Sequence, residues 1–247
     1  MTDGLAIVMA AGKGTRMRSE LPKVLVPVCG RPMIHYVLDA LEAAGIERSL
    51  VVVGYRADDV RAELAGRRGV AFCLQAEQLG TGHAVMMCRD QLAAHRGATL
   101  VLAGDSPMAQ ASSLRTLLNE FERRRPACLL GTGVKDDPTG LGRIVRDAAG
   151  EFAGIVEERD ATPAQRAIRE VNLSCYVFEA AELLWALERL KADNVQREYY
   201  LTDCPGLLRR SGRRVEALPA LKPVEALSIN TPEELAIVEA AMRQGSP

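Results

Sequence analysis

The chain has 247 residues, of which 48% are hydrophobic and 26% charged, and its formal net charge is −1. That length accommodates one large α/β domain, or one domain with a small appendage, and the near-neutral balance leaves no global field for nucleic acid or an anionic membrane. No apolar run approaches the roughly 18–20 residues that span a bilayer, and the N-terminus lacks the basic region and apolar core of a signal peptide.

Residues 5–10, LAIVMA, read as a fully buried strand. The loop after it, AGKGTRMRSELPKVL, is glycine-rich and cationic. Gly12 and Gly14 permit positive φ and let backbone N–H groups approach an anion. Arg16 offers a planar fork for phosphate oxygens, and Lys23 follows Pro22, which stiffens the chain just before it. The loop does not match Walker A spacing, and Met17 stands where a dinucleotide fingerprint needs its third glycine. Residues 32–45 place Met33, Ile34, Val37, Leu38 and Leu41 on one helical face, with Pro32 at the start and Gly45 at the end. A buried strand over 50–53 and a short helix over 57–65 follow.

A strand at 70–74 leads into a second glycine-bearing loop, QAEQLGTGHA, and a helix to about residue 93. Residues 98–104 form a strand ending at Asp105. A helix covers 112–124 and a strand 127–133. DDPTGLGRIV and AGEFAGIVEE read as paired strands joined by a turn at Ala149-Gly150. A polar, helix-prone stretch comes next, and then the strand EVNLSCYVF. Helices at 179–190 and about 198–211, short strands at 214–218 and 224–228, and a helix at 232–243 complete the chain. Residues 244–247 are expected to fray.

Strand–helix alternation with short connections implies a mostly parallel sheet covered on both faces, with ligands outside the carboxyl ends of its strands. The polar clusters at 11–23, 75–83 and Asp105 all fall at such ends. The six cysteines, Cys29, Cys73, Cys88, Cys128, Cys175 and Cys204, form no C-x-x-C pair and have no histidine at metal-ligand spacing. They read as buried, reduced thiols, which suits a cytoplasmic, reducing compartment.

MAAGKGTRM with PKVL, then LQAEQLGTGHAV, AGDSP, DDPTGLGRI, GIVEERDA, EVN, REYYLTD and SINTPEEL occur in this order over residues 5 to about 235. In this the chain resembles the sugar-1-phosphate nucleotidylyltransferases. It is most similar to the uridyltransferase domain that opens the bifunctional N-acetylglucosamine-1-phosphate uridyltransferase/glucosamine-1-phosphate acetyltransferases. The resemblance implies a Rossmann-like α/β fold, a mixed and mostly parallel sheet flanked by helices, as one nucleotidylyltransferase domain over 1–243.

It also implies roles. Met9, Ala10, Ala11, Gly12 and Gly14 wrap the nucleotide, bordered by Ala103 and Gly104. Arg16 and Lys23 neutralise the triphosphate. Gln75, whose amide both donates and accepts, reads the base with Gly80 and Thr81. Asp105 and Asn230 hold Mg2+, and Gly142, Glu157 and Asn172 line the sugar pocket. His83 takes a structural hydrogen bond, and Glu157 and Glu158, adjacent on a strand end, point in opposite directions.

The reaction implied is attack of a sugar-1-phosphate oxygen on the α-phosphorus of UTP, giving a UDP-sugar and pyrophosphate. It needs no general base, because the attacking phosphate is already an anion. UTP and N-acetylglucosamine-1-phosphate are the expected partners, in a monomer or small homo-oligomer. Another sugar-1-phosphate or nucleotide, or a catalytically silent sugar-nucleotide sensor, is the alternative. A silent form is expected to lose the cationic loop or the metal ligand, and Arg16, Lys23, Asp105 and Asn230 are all present. The hexapeptide repeats of the acetyltransferase β-helix do not occur, so acetyl transfer is not expected. Ala103 stands where the family usually has tyrosine, and Asn172-Leu173-Ser174 where it usually has Asn-Thr-Gly.

Overall fold

The computed structural model describes residues 4–245. Its elements are β1 (Leu5–Ala10), the hairpin β2 (Pro27–Val28) and β3 (Arg31–Pro32), α1 (Met33–Ala43), β4 (Arg48–Val53), α2 (Ala57–Glu63), β5 (Val70–Leu74), α3 (Thr81–Met86), α4 (Arg89–Ala94), β6 (Ala98–Ala103) and α5 (Ala111–Arg124). Then follow β7 (Cys128–Val134), β8 (Arg143–Arg146), β9 (Phe152–Val156), α6 (Pro163–Arg166), β10 (Glu170–Glu179), α7 (Ala180–Leu187), α8 (Asp203–Arg210), β11 (Val215–Leu218) and α9 (Pro232–Arg243).

The main sheet runs β11-β7-β10-β6-β1-β4-β5. β1 pairs in parallel with β4 and β6, β4 with β5, and β7 with β11. β10 lies antiparallel between β6 and β7, and its first residues also meet β8, which pairs antiparallel with β9. Alternation along each strand sends successive side chains to opposite faces. Leu5, Ile7, Val52, Val101, Tyr176 and Phe178 pack on the side of α3, α4, α7 and α8. Ala6, Val8, Val51, Val53, Leu100 and Val177 pack on the side of α1, α2 and α5. β1 is central and its flanking strands cover it, so its residues from Leu5 to Val8 have no exposed surface.

A third apolar cluster, built from Met17, Val28, Met33, Met108, Ile229 and Val238, fastens α9 and the hairpin against the loop after β1. It brings a segment from the far end of the chain to the mouth of the first strand. No helix among the described residues is long and apolar enough to cross a membrane.

Several expectations need correction. Residues 224–228 are not a strand: Pro223–Ala226 is a 3-10 turn. Pro223 has no N–H to offer a ladder, and the buried Glu225 carboxylate instead gathers the N–H groups of Gln110 and Lys222 (both 2.9 Å) and the Ser113 hydroxyl (2.5 Å). The helix expected to run on to residue 93 is broken at Met87–Cys88, where backbone bonds close over three residues rather than four. The helix expected from about 198 starts at Asp203, because residues 198–201 fold back along α3. Cys29 is exposed, whereas the other five thiols are buried. Gln244 and Gly245 close the last turn of α9 through bonds to Ala240 and Met242. Of the tail expected to fray, residues 246 and 247 lie outside the described residues.

Candidate active site

The loop after β1 opens with Ala10 and Ala11 buried and Gly12 exposed, and then forms a short 3-10 turn, Thr15–Met17. Gly14, which precedes that turn, has φ +66°, and a Cβ there would lie 2.7 Å from the Lys23 side chain. The glycine thus admits both the left-handed backbone and the lysine stem. Lys23 begins a second 3-10 turn behind Pro22 and crosses under the loop.

Its ammonium donates to Asp105 Oδ2 and, at 2.8 Å, to Asn230 Oδ1. Arg16 Nη2 reaches the same amide oxygen at 2.9 Å. Asp105 arrives from the end of β6, where Gly104 N–H donates to Met9 C=O at 2.9 Å and locks the two strand ends together. Asn230 is presented by the buried Ile229 and braced by its own Nδ2 on Ser228 Oγ (3.1 Å) and its N–H on Glu234 (2.5 Å). One carboxylate oxygen and one amide oxygen therefore converge on a single cationic nitrogen. Hard oxygen donors of this kind suit a magnesium ion. No cluster of three or more His, Cys, Asp or Glu side chains with metal-binding geometry occurs among the described residues.

Beside this centre lies a polar cleft of about 880 Å³. Met9, Arg16, Thr81, Gly142, Glu157 and Asn172, all expected at the site, border it. Ala103 and Gly104 stand behind Met9 at the end of β6, next to Asp105. Glu157 follows β9 and is partly buried. Burial holds its carboxyl above the usual carboxylate range, offset in part by a hydrogen bond from Thr202. Asn172 sits at the bulge of β10, its N–H on Gly142 C=O (2.8 Å) and its Oδ1 accepting from Ser174 N–H (3.2 Å). Glu157 and Glu158 are expected on opposite sides of a strand end, but β9 stops at Val156 and both border the cleft, Glu158 pairing there with Arg143 at 2.7 Å.

The base loop is closed by its own hydrogen bonds. Gln75 is buried, and its Nε2 donates to Gly80 C=O and to His83 Nδ1, each at 3.1 Å. The amide N–H groups are therefore engaged within the loop. Gly80 has φ +106°, and a Cβ there would lie 2.5 Å from Tyr199 C=O. The glycines let the 198–201 segment close on α3: Gly82 N–H donates to Tyr199 C=O (2.7 Å), and Leu201 N–H donates to the Thr81 hydroxyl (3.0 Å). His83 stacks near Tyr199, with ring centroids 6.2 Å apart.

The cleft also includes residues to which the sequence reading gave no role. Gln196, Glu198, Tyr200 and Thr202 line it, as do Ser174 and Tyr176. REYYLTD was a signal in plain view, but an irregular segment offers no periodicity from which to assign its facing.

A family model described as the MobA-like NTP transferase domain matches residues 6–198. The bifunctional protein GlmU of Pelotomaculum thermopropionicum is 46% identical over 242 residues, covering 98% of this chain and 52% of its own length. The chain thus spans about half the length of the curated relatives it matches. A putative glucose-1-phosphate thymidylyltransferase from Bacillus anthracis, solved in complex with a sucrose, superposes with a TM-score of 0.77 at 18% identity, over 97% of this chain and 95% of its own. UDP-glucose pyrophosphorylase complexed with UDP-glucose gives 0.78 at 15% identity, over 99% of both chains. These two likenesses establish a shared fold.

Proposed function

Because this chain belongs to the family of MobA-like NTP transferase domains, we propose that it transfers UMP from UTP to N-acetylglucosamine-1-phosphate, releasing pyrophosphate. The observation that carries the reading is the convergence of Arg16, Lys23, Asp105 and Asn230 beside a polar cleft containing Glu157 and Asn172. The motifs LQAEQLGTGHA and GIVEERDA, and the relatives at 39–46% identity, support it.

The chemical difficulty is to bring two polyanions together, so the protein supplies position and positive charge. In this reading the backbone from Met9 to Gly12, with Gly14, Ala103 and Gly104, cradles the nucleotide. Gln75 shapes the base seat by holding the Gly80 carbonyl, and Thr81 borders it. Arg16 and Lys23 face the triphosphate and the charge that develops as pyrophosphate separates. Glu157, Gly142 and Asn172 hold the sugar. Asp105 and Asn230 would hold Mg2+, which when bound neutralises phosphate oxygens and polarises the α-phosphoryl group. The attacking phosphate oxygen carries its own charge, and none of these steps requires a side chain to remove a proton.

The test is a pyrophosphate-release assay over a matrix of nucleoside triphosphates and sugar-1-phosphates. UTP with N-acetylglucosamine-1-phosphate is expected to give the highest kcat/KM. A polar pocket rejects analogues that leave its buried groups unpaired, so glucose-1-phosphate should lag. A ratio near one between the two sugars would overturn the choice of sugar, and no turnover with any pair would overturn the reaction.

A further inference from the structure

Arg143 is among the largest fully buried side chains, with 2% of its side-chain surface exposed, yet it carries a permanent charge. A buried guanidinium is tolerated only when its donors are matched. Here Nη2 meets Glu158 Oε2 at 2.7 Å, Nη1 donates to the Leu141 carbonyl, and Nε and Nη2 each point at Arg166 C=O at 3.4 Å. Glu158 Oε2 also accepts from Gly140 N–H at 3.2 Å. Arg143 lies in β8, registered opposite Val156 on one side and Val171 on the other. Each of those residues directly precedes a residue of the sugar half: Val156 precedes Glu157, and Val171 precedes Asn172. The Arg143 guanidinium and the Glu158 carboxylate thus tie together the 140–142 loop, the strand end that carries Glu157, and the last turn of α6.

We propose that the Arg143–Glu158 pair is a positioning device for the sugar-phosphate, fixing the direction of Glu157 and the height of the Gly142 loop; the buried Arg143 acts from behind the cleft, and Glu158 reaches its border. Glu157 and Glu158 lie in the turn that follows β9, closed by Asp160 N–H on Glu157 C=O at 3.0 Å, so tethering Glu158 to Arg143 holds the backbone that carries Glu157 at the cleft. A Cβ on Gly142 would stand 3.5 Å from Glu157 Oε1, so a small shift of either segment would close or open this corner. The nucleotide half is built from β1, β6 and α3, which the pair does not reach.

The proposal rests on the reading that this half of the cleft receives a sugar-1-phosphate. The experiment compares Glu158→Gln and Arg143→Lys with the wild-type chain, measuring kcat, the KM for each substrate, melting temperature, and calorimetric affinity for UDP and for the UDP-sugar. Glu158→Gln keeps the size and an acceptor for Gly140, while Arg143→Lys keeps the charge and loses the fork. In both variants the KM for the sugar-phosphate should rise about tenfold, as displacement of a positioned group does, with kcat and the KM for UTP within about twofold. Affinity for the UDP-sugar should fall by a similar factor while affinity for UDP stays unchanged. If melting temperature falls while both KM values hold, the pair is structural only and the proposal fails. It fails equally if kcat and both KM values move together in a folded variant. A wild-type chain that binds UDP but shows no turnover with any sugar-1-phosphate would overturn the underlying reading, and the proposal with it.

Discussion

Lys23 holds two oxygens with one ammonium, so substitutions on either side of it separate charge from packing. Asp105→Asn retains an acceptor for Lys23 and removes only the anion. Its kcat should fall about a hundred- to thousandfold while the melting temperature shifts by no more than about 3 °C. Near-wild-type turnover in the folded variant would remove Asp105 from the metal role. Arg16 is exposed apart from its contact with Asn230, so Arg16→Ala should cost little stability and lower kcat at least about tenfold, with a smaller change in KM. A change confined to KM would make Arg16 a ground-state anchor.

Glu157 carries a pH dependence whose sign follows from its burial. Its carboxyl is held above the usual range in the folded state, so the folded protein binds that proton more tightly than the unfolded chain does. Stability contributed by this group therefore falls as pH rises through the window between the unfolded and folded values. Substrate binding runs the other way if the carboxylate accepts sugar hydroxyls: KM for the sugar-phosphate should rise as pH falls through the raised value. Glu157→Gln should flatten both profiles, and a KM profile that keeps its slope in that variant would assign the titration elsewhere.

Among the elements, β10 repays attention at its bulge. Its pairing with β7 shifts between Asn172 and Cys175, and Ser174 in the gap adopts φ +53°. A left-handed residue with a Cβ is strained, whereas glycine adopts this φ without that cost. Ser174→Gly should stabilise the chain by about 0.5–1 kcal/mol, the strain relieved less the extra entropy of glycine, raising the melting temperature by about 1–3 °C. A lower melting temperature would show that the serine side chain compensates for its backbone.

This is also the scale at which the sequence was most and least legible. β1, β5 and α9 begin and end where periodicity, Pro232 and the apolar runs put them, because each is decided by local pattern. The hairpin β2–β3 escaped notice because its turn is Cys29-Gly30, with φ +49° and +81°. That is turn geometry normally signalled by Asn-Gly or Asp-Gly. Cys29 is tolerated there because its N–H donates to Glu239 Oε1 at 2.9 Å, a tertiary contact 210 residues away that no local pattern carries. The break between α3 and α4 has no capping residue to announce it. At the site, the phosphate-loop side chains could be named from chemistry, but the engagement of Gln75 and the partner of Glu158 depend on tertiary contacts.

At the scale of the whole molecule, the centre joins remote parts of the chain. Arg16 and Asn230 are 214 residues apart, Lys23 and Asn230 207, and Lys23 and Asp105 82. Non-local contacts form late because loop closure must come before any gain from them. On refolding from denaturant, recovery of the far-ultraviolet helix signal should therefore precede recovery of activity, and the two should separate further in a variant that weakens the cluster around Ile229, such as Val238→Ala. Coincident recovery would mean that α9 docks as early as the sheet. The same separation acquires a clock when the protein is made. At about 5–20 residues per second, a ribosome delivers Asn230 roughly 10–40 s after Lys23. Throughout that interval the cationic loop already exists, but Arg16 and Lys23 lack the amide oxygen on which they meet. A chain arrested before Asn230 can complete every strand of the sheet and still lack that shared oxygen, so the proposed turnover should wait for Asn230 to emerge.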